Sequence, residues 1–265
     1  MVELSRELDG YRISQYFHKD RDGKILALPV WDYNLALGNA DYNYNYYDGN
    51  SDGQNDADYQ NGVKGWYYTL VGPPNYYWYP RLFQDPGFVL AYWDRFWELR
   101  RSQFSDTNLL ARIDAADAEL DLPNSAGQSA VTRNFTKWPT LGTYVWPNNV
   151  GYESRTTHQA EVDWMKNWLT SRLAWVETQS QGIAGPARPP VWNHYGGAVA
   201  APFTLTMSNP NSWSPAVIVF TTDGSDPRQG GGQTYTGPLT ITSPVEVRAR
   251  VRNTTGTRWS PLTKG

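Results

Sequence analysis

Apolar and polar positions fall into three regimes along this chain. Residues 13–19 (ISQYFHK) alternate apolar and polar, the two-residue period of a half-buried strand. Asp20-Arg21-Asp22-Gly23 is a turn signal and residues 24–31 (KILALPVW) supply a return strand, so a hairpin is predicted. If Lys19 faces Lys24, Asp32 lies opposite position 11, two residues from Asp9. Spacing alone then brings two carboxylates to the open end of one hairpin.

The period changes further on. Residues 41–60 are rich in Asn, Asp, Gly and Tyr with no apolar repeat, and read as a loop. Asp85-Pro86 is a helix N-cap followed by proline at the first helical position, with Phe88, Tyr92, Phe96 and Leu99 at helical spacing. A second helix is predicted over 107–120, with Leu109, Leu110, Ile113, Ala116 and Leu120 on one side and a stop before Pro123. Thr156-x-x-Gln159 reads as the capping box of a third. Its core stripe is Val162, Met165, Leu169, Leu173 and Val176, and the adjacent Trp164, Trp168 and Trp175 read as core packing rather than a cofactor site. After a hinge-like stretch at 182–190 (GIAGPARPP), short β-type runs at 204–207, 216–221, 239–241 and 245–251 alternate with turns. They predict a small all-β sandwich. The expected class is α+β, with a mainly helical region over 1–181, a linker over 182–198 and a β-module over 199–265.

Composition narrows the chemistry. Thirteen Trp, eighteen Tyr and eight Phe argue against low-complexity disorder. Absence of Cys excludes disulfides, a thiol nucleophile, iron–sulfur clusters and thiolate zinc. The three His (His18, His158, His194) are scattered, which disfavours a His-rich metal site. A formal charge of −3 supplies no global field for nucleic acid. No run approaches the roughly 18 apolar residues of a membrane span, and residues 1–8 (MVELSREL) lack the basic and apolar regions of a signal peptide.

Two stretches carry candidate chemistry. Asp9 and Asp32 at one end of a hairpin suit a cation-dependent reaction in which one carboxylate orients a hydroxyl and the other holds Mg²⁺ on phosphate oxygens. Asp at strand ends is also common for purely structural reasons. Asp48, Asn50 and Asp52, followed by Gly53 and Gln54, match the start of an EF-hand-type calcium loop. Tyr59 stands where that loop needs a bidentate Glu, so a solvated Asx-rich insertion is the competing reading.

The strings LDGYRIS (8–14), YFHKD (16–20) and PVWDYNLALGNA (29–40) closely resemble the CotH kinase family, atypical kinase-like proteins first associated with bacterial spore coats. The likeness continues through YPRLFQDPGF (79–88) and RFWELR (95–100) and ends near Trp168-Leu169-x-x-Arg172-Leu173-Ala174-Trp175. It implies a catalytic-loop role for Asp9, Mg²⁺ ligation by Asp32 with Asn34 beside it, and ATP as donor to a Ser or Thr of a surface or coat protein. Ser14 stands where kinases carry a second metal-binding Asn, and Tyr11-Arg12 where a Lys is common. Only eight residues precede Asp9, with no Gly-rich loop or strand lysine. This sequence therefore resembles the C-terminal part of such a kinase, without its ATP lobe, and is expected to be inactive alone. Transfer of a nucleotide instead of a phosphate stays open.

Residues 219–228 (VFTTDGSDPR), Tyr235-x-Gly237-Pro238 and Val245-x-Val247-Arg248-Ala249-Arg250 resemble the chitobiase/β-hexosaminidase C-terminal-type module. Asp223 and Asp226 read there as turn residues, and Trp213 and Trp259 as either a sugar-stacking face or sheet packing. Such modules accompany extracellular enzymes, so an extracellular or envelope location is expected, the missing leader belonging to a missing N-terminus. The alternative is a non-catalytic extracellular protein that binds polysaccharide or calcium. A carboxylate-pair glycosidase is a third reading, which the resemblance disfavours.

Overall fold

The computed structural model describes residues 1–40, 63–69 and 78–265. Its helices in chain order are α1 (Val2–Ser5), α2 (Trp78–Leu82), α3 (Pro86–Arg100), α4 (Asp106–Leu120), α5 (Ala130–Lys137) and α6 (His158–Thr178). The strands are β1 (Gln15–His18), β2 (Leu26–Val30), β3 (Gln181–Gly182), β4 (Gly185–Pro186), β5 (Val191–Trp192), β6 (Phe203–Leu205), β7 (Met207–Ser208), β8 (Ala216–Thr221), β9 (Gln233–Thr234), β10 (Leu239–Ile241), β11 (Arg248–Asn253) and β12 (Thr263–Lys264). The class is α+β, as the sequence predicted. Two compact units result: residues 1–81 with 109–178, and residues 82–108 with 179–265.

In the first unit, β1 and β2 form the predicted antiparallel hairpin, and the Gly23 amide donates to the Asp20 carbonyl at 3.1 Å in its turn. The register differs from the expected Lys19–Lys24 pairing. His18 faces Leu26, and a bulge between Gln15 and Phe17 sets Gln15 against Val30. The connection is thus longer than a tight turn, and the bulge adds a residue to one strand. The strands are also not half-buried: Tyr16, Phe17, Leu26 and Val30 are exposed. Alternation reports the strand period, not what lies against it.

Helix α6 is the spine of this unit. Val162, Trp168, Leu169, Leu173 and Val176 are buried along it. Its cap is Thr157 rather than Thr156: Thr157 Oγ1 accepts from the Ala160 amide at 3.1 Å, while Gln159 bonds Asp163 instead of closing a box. Arg172, fully buried, donates to the carbonyls of Glu3 (2.6 Å), Val63 (2.9 Å) and Gly65 (2.8 Å), and so ties α6 to α1 and to residues 63–68. The buried Glu3 carboxylate answers by accepting the amides of Tyr67 (2.9 Å) and Tyr68 (2.6 Å). Helix α4 ends before Pro123 as predicted, but none of its residues is buried; Ala116 and Leu120 of the expected stripe are exposed. Polar contacts hold it instead, with His158 Nε2 2.7 Å from Asp117 Oδ1 and Lys166 on Asp114. Helix α5, capped by Ser129 Oγ on the Thr132 amide (3.0 Å), was not anticipated.

In the second unit, Asp85 Oδ1 accepts from the Phe88 amide at 2.8 Å and Pro86 opens α3, as its sequence signals. The buried face of α3 is Leu90, Trp93 and Phe96; Phe88 and Tyr92 pack edge-on against Phe83. The β-module has a four-stranded antiparallel sheet in the order β12-β11-β8-β9, with the pairs β6–β10 and β5–β7 beside it. Ile218, Phe220, Val247, Ala249 and Val251 meet Trp192, Leu205 and Met207 in one core. Asp223 is a turn residue, its Oδ1 accepting from the Ser225 amide and hydroxyl. Asp226 caps the next turn but also does more. With Asp94 of α3 it grips the buried Arg250, whose Nε reaches Asp226 at 2.7 Å while Nη1 and Nη2 reach Asp94 at 2.9 and 2.7 Å.

Candidate functional site

The site is built where α1 runs into the hairpin. Arg6 takes a left-handed conformation (φ 47°) and ends α1, and the Asp9 carbonyl then accepts the amides of Arg12, Ile13 and Ser14 at 2.9–3.0 Å. Asp9 is fixed at the head of a tight coil by this arrangement. Two backbone bonds lay this coil beside the segment after β2: Leu8 N–H to Leu35 O (3.4 Å) and Leu37 N–H to Ser5 O (2.7 Å). The Tyr67 hydroxyl donates to the Leu8 carbonyl from the opposite side. Val2, Leu8, Tyr11, Leu35, Ala40, Tyr67 and Tyr79 form the apolar cluster beneath. Tyr11 belongs to this cluster, its ring 4.2 Å from that of Tyr79.

Asp9 receives Arg12 Nη2 on Oδ1 at 2.6 Å. Asp32 sits in a left-handed conformation (φ 55°) ahead of the 3-10 turn Tyr33–Leu35, exposed, with no capping bond from its side chain. The Asn34 carboxamide, turned so that its nitrogen faces Asp32, donates to Asp32 Oδ1 at 3.0 Å. The Asn34 backbone carbonyl accepts from the Asn39 side-chain amide at 2.8 Å. Ser14 is buried.

Glu7 was not singled out by its sequence context, and it is the most unusual group present. It is fully buried, and among the described residues neither carboxylate oxygen has a hydrogen-bond partner. Burial pushes its pKa up to about 7, the charges of Asp9 and then Asp32 add to that push, and the nearby amides of Asp9 and Gly10 oppose it without reaching hydrogen-bonding geometry. Gly10 is required above it, since a Cβ there would lie 3.2 Å from Glu7 Oε2 and 2.9 Å from Val2. Three carboxylates thus share one electrostatic neighbourhood, with the innermost half-protonated near neutrality.

Asp48, Asn50, Asp52 and Gln54 lie outside the described residues. Among the described residues no three His, Asp or Glu side chains are grouped to hold a metal ion. Trp213 lies under the Arg258 guanidinium (4.3 Å), and Trp259 under that of Arg252 (5.5 Å), with its indole N–H on the Gly256 carbonyl. Each of these rings therefore carries a guanidinium over one face.

The CotH kinase protein family model matches residues 1–176, two thirds of the chain. The chain belongs to the CotH kinase family. Residues 194–263 match the chitobiase/beta-hexosaminidase C-terminal domain, the β-module of the second unit. Comparison with curated proteins and with solved structures finds no match. The CotH match contains Glu7, Asp9 and Asp32 and also Glu3 and Arg172, whose bond network holds the coil. A kinase-like character follows for this region. No described helix is long and apolar enough to cross a membrane.

Proposed function

We propose that Asp9, Asp32 and Glu7 form the acceptor- and metal-binding half of a phosphotransfer centre that moves the γ-phosphate of ATP to a Ser or Thr hydroxyl of a surface or coat protein. The observation that carries this reading is the pair of backbone bonds, Leu8 N–H to Leu35 O and Leu37 N–H to Ser5 O, that lays the Asp9 coil beside the segment opened by Asp32, in a region that matches the CotH kinase family. Arg12 occupies one oxygen of Asp9, which leaves the other to accept the hydroxyl proton and aim the oxygen for in-line attack. Asp32 offers exposed carboxylate oxygens steadied by Asn34. Mg²⁺ is commonly held by one or two carboxylates plus substrate phosphates, so this donor set fits it without a three-carboxylate group. Bound there, it would neutralise charge on the phosphoryl oxygens. Asn34 acts through Asp32 as a donor or joins it as a ligand once its amide turns. Catalysis of this kind is mostly positioning, which the buried Glu3–Arg172 network supplies from below.

The β-module, of the type named for chitobiase, supports an extracellular or envelope setting. The test is transfer from γ-labelled ATP to Ser/Thr protein acceptors in Mg²⁺. The account predicts that transfer is lost in Asp32→Ala; transfer that survives Asp32→Ala unchanged would overturn it.

A further inference from the structure

The second unit contains a cavity of about 640 Å³, well within the range of small-molecule sites. One wall is α3 and the residues just after it; the other comes from Tyr195, Gly196 and Gly197 and from the ends of β11 and β12. Its charged side chains are four cations and three carboxylates. Most are already matched. Glu98 takes Arg95 at 2.9 Å and Lys264 at 3.0 Å, Glu246 takes Arg248 at 2.7 Å, and Asp94 is committed to Arg250.

Arg101 is the exception. Among the described residues no carboxylate lies within ion-pair distance of it. Its guanidinium lies over the Tyr195 ring (4.5 Å from the centroid) and the Trp97 ring (5.8 Å), is favoured in its charged form by Tyr195, and reaches the Pro190 carbonyl at a long 3.4 Å. Burial pushes its pKa down to about 10, a measure of how poorly water and counter-charge replace what it has lost. A desolvated planar fork without an acid partner is suited to a carboxylate or phosphate. The rim decides between them. Glu98 and Glu246 would repel a multiply charged anion, yet paired with Lys264 and Arg248 they put both acceptors and donors on the lining, which sugar hydroxyls can satisfy in either role. Ala91, Leu262, Gly196 and Gly197 add small and apolar surface to the lining of a cavity large enough for a sugar ring.

We propose that this cavity binds a singly charged, hydroxyl-rich anion, an acidic sugar of the hexuronic type, with its carboxylate on Arg101. The site is independent of the phosphotransfer reading. The test is a chemical-shift titration of the full chain at constant ionic strength, with the Gly196 and Gly197 amides as reporters. The probes are glucuronate, glucose, acetate and inorganic phosphate. Glucuronate should shift these amides saturably, with each other probe at least about tenfold weaker, and Arg101→Met should weaken it about tenfold or more. Arg101→Lys, which keeps the charge but not the fork, should fall between. Absence of saturable glucuronate shifts, glucose or phosphate binding as tightly, or full binding by folded Arg101→Met would each overturn the proposal. Should Arg101→Met not fold, the wild-type comparison and Arg101→Lys decide alone.

Discussion

Glu7 gives the sharpest stability prediction, because its burial and its lack of partners among the described residues translate directly into a pH dependence. The folded chain holds this proton up to about pH 7, whereas the unfolded chain releases it near 4.5. Between those values the folded state binds more protons, so the contribution of Glu7 is fully present below pH 4.5 and is lost as pH rises through about 7. At 1.36 kcal/mol per pKa unit the loss is at most about 3 kcal/mol. Glu7→Gln is neutral throughout and lacks this dependence. Relative to wild type it should therefore gain up to about 3 kcal/mol between about pH 4 and about pH 9. The assay is urea unfolding at several pH values, followed by helical circular dichroism. With an m-value of about 2 kcal/mol per M, the gap between the two midpoints should move by up to about 1.5 M, in favour of the variant at high pH. A gap that stays constant across the range, or moves the other way, would refute the claim that Glu7 is buried beside Asp9 and Asp32.

Two further substitutions probe the frame around the sites. Arg250→Met leaves Asp94 and Asp226 facing each other without their shared cation; both are about one fifth exposed, so the cost should lie at the low end for a broken buried pair, about 3 kcal/mol, and thermal melting would show it. A loss below about 1 kcal/mol would contradict that role. Gly38→Ala places a Cβ 2.5 Å from Trp168 Cδ1 at φ 78° and should destabilise the first unit by about 2 kcal/mol or more by the same urea assay; an unchanged midpoint would show that Trp168 can move aside.

Local signals in the sequence were read well where one short stretch decides the outcome. Asp85-Pro86 starts α3, residues 20–23 turn the hairpin, and Leu239–Ile241 and Ala216–Thr221 are strands with the expected bounds. Boundaries moved where neighbouring residues compete for one task, as with Thr156 and Thr157 at the start of α6. Register moved because a bulge cannot be seen in an alternating pattern. What the pattern could not contain is the pairing of distant polar groups. Glu3 and Arg172 are 169 residues apart, and Asp94 and Arg250 are 156 apart. Hairpin spacing set Asp9 and Asp32 near each other through a register that the bulge does not keep, and Glu7 was not legible at all, since nothing in its neighbours distinguishes a buried Glu from a solvated one. The donor role of Asn34 likewise depends on which way a carboxamide faces.

The central claim is that the Asp32 carboxylate is a divalent-metal site beside the Asp9 coil. Paramagnetic broadening by substoichiometric Mn²⁺ on the isotope-labelled chain tests it most directly, because it locates even weak binding. The account predicts selective loss of the Gly10, Tyr33 and Asn34 amide signals, abolished in Asp32→Asn. Broadening that leaves these signals intact, or that persists in Asp32→Asn, would contradict it.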